Sequence, residues 1–384
     1  MILKLILIPI LGFLLGFIAG FIPGLHYNML GSFLLKFVDP IILPFLFIIM
    51  LISSQFFEIL KAVFLLIPNE GTSLAMHPLY KMIQKGHCLI AIKYYSMGLI
   101  SSLFSSILIL PLLINFIPKI YLILKPYLPY LLIITVIIII SRDKWIKALS
   151  IFLISGIIGY FAFQILNQPL LILLTGFFGM PLLLTQSPNF PKQMLIDNIR
   201  IENKSLIKGI ITSLFSSFLL LFIPTLGHSQ SSFFSRAFLR KDEEFLISLG
   251  ALTGFDVMFS LTFLLTNQKA RIGLLEMMKQ IIKLDLKLYL LLVFIVLITA
   301  MFSYVMIKKL SFLMLKISNM NKLKINFGVL TFIFSLTFFF DGFIGLLFLI
   351  LSSIIGIIAE KIKVRSTNCM GALTIPTLMF YFLK

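Results

Sequence analysis

Charge is scarce in this sequence. Of 384 residues only 12% are Asp, Glu, Lys or Arg, and only 14 are acidic. A soluble chain of this length needs a polar surface that so few charges cannot furnish, so a soluble fold is excluded. Cysteine is scarcer still. Cys88 and Cys369 are the full complement and stand at no metal or redox spacing, which removes a disulfide framework and a thiolate metal site. His26 and His228 are two of four histidines, and neither has a carboxylate or cysteine at ligand spacing, so no metal is expected. The chain also lacks a G-x-S-x-G elbow, a Walker loop and an HExxH helix. Serines in "SSQFFE" and "GHSQSS" have no base fixed beside them, so the chain is not expected to be an enzyme and implies no cofactor.

What it has is apolar length. It is 60% hydrophobic, with mean hydropathy +1.11. Many runs approach or exceed the roughly 20 residues that cross a bilayer as helix. The fold class expected is an all-α polytopic membrane protein, multi-pass in the cell membrane, with about 10–12 transmembrane or re-entrant helices. The first 22 residues lack a basic n-region and a small-residue cleavage site, and they run into a motif that recurs later, so they are read as mature structure. The net charge of +18 is concentrated in short connections around Arg142–Lys147, Lys192–Lys208, Lys308–Lys324 and Lys361–Arg365. The positive-inside rule reads these as cytoplasmic loops beside anionic lipid, with no nucleic acid as partner.

Two proline breaks organise the chain. "FIPGLHYN" (21–28) follows one glycine-spaced apolar run, and "FIPTLGHSQ" (222–230) follows another. Pro23 and Pro224 are 201 residues apart; Gly12 and Gly16 stand in register with Ser213 and Ser217. Ser53-Ser54 corresponds to Thr253-Gly254 at an offset of 200, and Asn69 to Asn267 at 198. The expected organisation is a first repeat half over 1–185, a polar cytoplasmic linker over 186–205 and a second half over 206–384. An inverted relation between the halves is the expectation, because it supplies alternating access directly. Spans are expected near 88–115, 127–141, 146–165, 168–185, 286–307, 325–340 and 343–359. The segments 40–67 and 245–266 are read as interrupted at Ser53-Ser54-Gln55 and Thr253-Gly254, and 271–283 as amphipathic and interfacial.

A break at membrane depth is buried in protein or lines a polar cavity. Paired breaks in two halves point to a transporter's central site. After each break a short helix begins, with His26 or Asn28 near the first cap and Ser229 as the second. The free N–H groups of two such ends, with their partial positive charge, suit a carboxylate or phosphate. His26 and His228 are read either as ligand or proton-handling groups or as structural hydrogen-bonding residues. Acids at membrane depth are costly. Glu58, Asp256 and Asp341 lie in apolar surroundings and Glu70 abuts one; Asp256, after Thr253-Gly254, is the candidate for coupling to Na+ or H+, and Asp341 is read as interfacial.

The glycine-spaced first helix ending in "FIPGLHYN", then "IPNEGTSLAMHPLYKMIQKGHCLIAI", "IPTLGHSQ" and "FLISLGALTGFDVMFSLTFLLTNQKARIG", resembles the large membrane subunit of the tripartite tricarboxylate transporters, most of all a shorter archaeal-type branch. The likeness runs in patches over 1–100 and 205–285. It implies ion-coupled secondary uptake of small carboxylates, with an extracytoplasmic binding protein and a small membrane subunit as partners. By position, it carries the polar breaks onto Pro23, Gly24, Asn28, Asn69, Glu70, Gly227, Ser229, Gln230, Gly254, Asp256 and Asn267. A polyprenyl-phosphate translocase, which is similar in its G-x3-G…PG pattern, is the alternative; it needs a basic site at membrane depth, for which Lys36 and Lys61 are the candidates.

Overall fold

The computed structural model describes residues 2–22, 25–65, 76–141, 143–185, 193–194, 201–222, 227–318 and 322–382. Within these residues the regular structure is helical, as long apolar runs require. A backbone that cannot reach water satisfies its amides and carbonyls inside a helix. The N-terminal half comprises α1 (Ile2–Phe21), α2 (Tyr27–Leu34), α3 (Leu43–Leu60) with a π-turn over Lys61–Leu65, α4 (Met76–Gln84) and α5 (Cys88–Leu124). Then come α6 (Leu128–Ser141), α7 (Trp145–Ile165), α8 (Pro169–Leu174), a second π-turn over Thr175–Gly179 and α9 (Met180–Thr185). The C-terminal half comprises α10 (Asn203–Phe222), α11 (His228–Phe238), α12 (Asp242–Asn267), α13 (Gly273–Ile281), α14 (Leu286–Ser318), α15 (Lys322–Lys361) and α16 (Gly371–Phe382). Gly342 breaks α15 at φ 58° and ψ −147°, values open to glycine because it has no Cβ. This is the division expected between 340 and 343. Seven of the described helices are long and apolar enough to cross a bilayer.

Two expected interruptions are absent. α3 runs unbroken through Ser53-Ser54-Gln55, and α12 through Thr253-Gly254. The hydroxyls of Ser53, Ser54 and Thr253 donate to the carbonyls of Ile49, Leu51 and Leu249 at 2.7–3.0 Å. Small polar residues at membrane depth thus bond back onto their own helix instead of opening it. Gly254 serves packing: a Cβ there would collide with Ser102 and the Leu99 carbonyl of α5.

The halves exchange helices. α5, from the first, lies along α12, from the second, and α14 lies against α3. Within each half the broken pair follows one plan. Gly12, Gly16 and Gly20 of α1 pack on Ile49, Ser53 and Phe57 of α3, and Gly209 of α10 packs on Ile247 of α12. Small residues let the backbones approach closely where lipid supplies no hydrophobic drive between helices. One apolar core joins α3, α5, α12 and α14. A second joins α7, α8, α15 and α16, and Leu25 and Met29 beside the first break insert into it.

Side-chain contacts identify the two ends of the bundle. At one end Lys241 pairs with Glu202 at 2.9 Å, and Tyr94 donates to Glu243 at 3.1 Å. The α10–α11 hairpin therefore leaves this end and returns to it. At the other end Lys269 donates to Tyr121 at 2.6 Å and Ser32, in α2, to Gln168 at 3.2 Å. There Phe33 also faces Phe340 across 6.4 Å. α2 therefore ends at the opposite end from α11. One capping contact occurs at both ends. Asp341 accepts from the Asn167 N–H at 2.5 Å, and Asp143 from the Arg365 N–H at 3.3 Å. Adding 198 to Asp143 and Asn167 gives Asp341 and Arg365.

Candidate functional site

Among the described bilayer-length helices, α3 and α12 are the most enclosed. The apolar windows of α3 and α12 are 89% and 100% buried, against 22% for α5. Yet they carry Gln55, Glu58 and Lys61 on one, and Thr253 and Asp256 on the other. Polar groups kept this far from lipid turn toward one another. The Tyr95 hydroxyl of α5 spans the pair, 3.3 Å from the Gln55 carbonyl and 3.4 Å from Thr253 Oγ1.

The starts of both short helices reach this cluster. His26 is the N-cap of α2, and its Nδ1 accepts from the Asn28 N–H at 3.2 Å. Its ring packs against Tyr27, with centroids 4.0 Å apart. Tyr27 lies in the electrostatic reach of Glu58, Asp256 and Arg271; Lys61 lies in that of His26 and Glu58. In the second half Gly227 is the N-cap of α11, without a side-chain cap bond. His228 follows, with Nε2 3.3 Å from Asp256 Oδ2 but not aligned as a hydrogen bond. Arg271 Nη1 meets the same Oδ2 at 2.9 Å. Glu58 and Asp256, like Asp143 and Asp341, are 198 residues apart.

Asp256 is 2% exposed, and its Oδ1 has no hydrogen-bond donor among the described residues. Neither has Asn28 Oδ1, which is also buried. The Asn28 amide lies over Gly273, where an added Cβ would fall 2.6 Å from Nδ2. Among the described residues the cluster holds two acids, Glu58 and Asp256, and two bases, Lys61 and Arg271. Among the described residues no group of three or more His, Cys, Asp or Glu could hold a metal.

The expected site residues divide. The structure brings His26, Asn28, Gly227, His228, Thr253, Gly254 and Asp256 to or beside this cluster. Ser229 and Gln230 fall in the first turn of α11, so Ser229 is not the cap; the helix begins two residues earlier. Because α12 does not unwind, Thr253 and Gly254 offer no loose carbonyls to a cation. Asn267 is not gathered in: it closes α12, bonded to Thr266 at 2.7 Å and about 16 Å along the helix from Asp256. Pro23, Gly24, Asn69 and Glu70 lie outside the described residues. Asp341, read from the sequence as interfacial, sits beside the Gly342 break and accepts from the Asn167 and Gln168 N–H groups. Lys36 is exposed, whereas Lys61 is buried close to Glu58. Tyr27, Gln55 and Arg271 were not singled out from the sequence. Arg271 reads there as one more loop charge in "NQKARIG"; its position between a buried span and an amphipathic segment was the available signal.

Seven bilayer-length helices, several of them packed around a buried charged centre, define a multi-pass membrane protein. The comparison with known families gives its kind. The model of the tripartite tricarboxylate transporter TctA family matches residues 6–371, and the chain belongs to that family. It is thereby placed among non-enzymatic secondary transporters of tricarboxylates, whose tripartite systems combine this large membrane protein with two further components. The chain is similar to the uncharacterized protein MJ1079 of Methanocaldococcus jannaschii, with 25% identity over 362 residues and 89% of each chain covered. No solved structure matches.

Proposed function

We propose that this protein carries out ion-coupled uptake of a small carboxylate through a central site between the starts of α2 and α11, and that its halves are inverted repeats. One observation supports the reading: the starts of two short helices, whose far ends lie at opposite ends of the bundle, converge on the Asp256–Arg271 pair, with His228 of α11 at 3.3 Å from Asp256 and Asn28 of α2 lying over Gly273, two residues beyond Arg271. Helix starts carry partial positive charge and unpaired N–H groups, which favour an anion. Hairpins entering from opposite ends toward one midplane site are the arrangement that alternating access uses. The interchanged Asp143 and Asp341 contacts, at one common offset, support the same symmetry.

The end holding Glu202 and Lys241 is cytoplasmic in this reading, because the basic connections gather there. His26, Asn28, Gly227 and His228, with Ser229 and Gln230 in the first turn of α11, are the substrate-side residues; Pro23, Gly24, Asn69 and Glu70 join them by their place in the sequence. Asp256 is the coupling residue, supported by Thr253 and Gly254 as helix neighbours, with Na+ or H+ as the ion. A small membrane subunit and an extracytoplasmic binding protein are the partners. Thermal-shift titration of the purified protein with citrate, phosphate and polyprenyl phosphate, with and without sodium, tests the reading. A ligand of the folded state raises its stability by mass action. Stabilisation by citrate is expected. Stabilisation by polyprenyl phosphate alone would replace carboxylate uptake with lipid-carrier translocation.

A further inference from the structure

Arg271 stands in the connection between α12 and α13 and folds back toward the middle of α12. Its side chain is 16% exposed and that of Asp256 2%, so this is no surface ion pair. We propose that Arg271 is the receptor for a substrate carboxylate, that Asp256 occupies it in the empty protein, and that substrate entry releases Asp256 to take the coupling cation. The inference rests on the carboxylate-uptake reading and gives it a coupling device.

Three observations carry it. First, the Asp256 carboxylate is satisfied on one side only. Oδ2 is shared by Arg271 at 2.9 Å and His228 at 3.3 Å, while Oδ1 is buried without a donor among the described residues. Buried polar atoms in a purely structural pair are normally all bonded. An orphan carboxylate oxygen is half of a cation position. Second, a guanidinium is a planar fork matched to carboxylates, and a substrate carboxylate presents the same two oxygens as Asp256. The exchange is therefore like for like. Beside it, the space a Cβ on Gly273 would fill is already taken by the Asn28 amide, whose Oδ1 is a second orphan acceptor.

Third, the charge count requires a cation. Among the described residues, His228 of α11 stands 3.3 Å from the Asp256 carboxylate, and Tyr27 of α2 lies within electrostatic reach of both members of the pair. Asp256 and Arg271 carry one charge of each sign and offset one another. A carboxylate taken by Arg271 leaves Asp256 as a buried charge without its guanidinium, a state that is strongly unfavourable. One cation at Asp256 offsets the charge of the carboxylate that displaced it. Each ligand then strengthens the other by the same factor.

The test is citrate binding to purified protein by calorimetry, with sodium varied at fixed pH and pH varied at fixed sodium, which tells Na+ from H+. Wild type is expected to bind citrate more tightly by about tenfold as the coupling cation rises. Asp256→Asn is expected to bind citrate at least as well as wild type and without dependence on either cation, because the guanidinium no longer faces the competing Asp256 carboxylate. The double variant Asp256→Asn/Arg271→Gln, which leaves no unpaired charge, is expected to stay folded and to lose citrate binding by about a hundredfold or more. Retained cation dependence in Asp256→Asn, or wild-type affinity in the double variant, overturns the exchange while leaving carboxylate uptake standing. Failure of wild type to bind citrate at any sodium level or pH overturns both.

Discussion

The two broken hairpins share a plan and differ in chemistry. In the α1–α2 hairpin the cap is a side chain, His26, and the tip is aromatic and amide-bearing, with Tyr27 and Asn28. In the α10–α11 hairpin the cap is Gly227, without a side-chain bond, and the tip presents His228. Their fastenings differ as well. Leu25 and Met29 tie the first tip into the outer core of α7, α8, α15 and α16. Serines tie the second to itself: Ser231 donates to the Ser216 carbonyl at 2.5 Å, and Ser216 and Ser235 share a bond of 2.8 Å. The two tips therefore do different work. The first tip links the centre to the outer helices, and the second addresses Asp256.

Arg271 serves both tips, so its loss has the largest expected effect. Arg271→Gln strands the Asp256 carboxylate and should destabilise the protein by about 3–5 kcal/mol, with recovery when Asp256→Asn is added. Thermal unfolding in detergent measures both. Gly273→Ala comes next and strikes the first tip alone. The added methyl falls 2.6 Å from Asn28 Nδ2, so overpacking of about 1–3 kcal/mol and weaker citrate binding are expected, with His228 undisturbed. Ser231→Ala strikes the second tip alone. It removes one bond to Ser216, worth about 1 kcal/mol, and should speed hydrogen exchange in α11 but not in α2.

The smallest effect is expected far from both tips. Lys241 holds the exposed Glu202 carboxyl below its ordinary value of 4.5, and Glu202 holds the Lys241 ammonium above 10.5. The contribution of the pair is fully present between these values. It is lost on one side as pH falls through the lowered carboxyl pKa, and on the other as pH rises through the raised ammonium pKa. Exposed and salt-screened, it should shift the unfolding midpoint barely at all, and Glu202→Gln at neutral pH should match wild type. A large shift would mean that this end is more tightly closed than the central site.

The hydrophobic runs and the two prolines made most of the helices legible, because bilayer length and helix rise leave little choice. The limit lay in small polar residues. Ser53, Ser54, Thr253 and Gly254 read as breaks, yet hydroxyls that bond their own helix and a glycine that admits α5 leave it whole. His26, His228 and Asp256 stood out because polar groups are rare in such a chain. Arg271 did not, since a loop arginine carries no mark of the direction in which it folds. The repeated contacts of Asp143 and Asp341 were equally hidden, because each joins segments distant in sequence.

The central claim is that the two hairpins enter from opposite faces and meet at Asp256. Single cysteines at Phe37, after α2, and at Phe238, at the end of α11, in a chain with Cys88 and Cys369 replaced, test it most directly. Both positions are exposed, at 71% and 70%. A membrane-impermeant maleimide applied to sealed, right-side-out vesicles should label position 37 from outside and reach position 238 only after the vesicles are opened. Labelling of both positions from the same side would contradict the account.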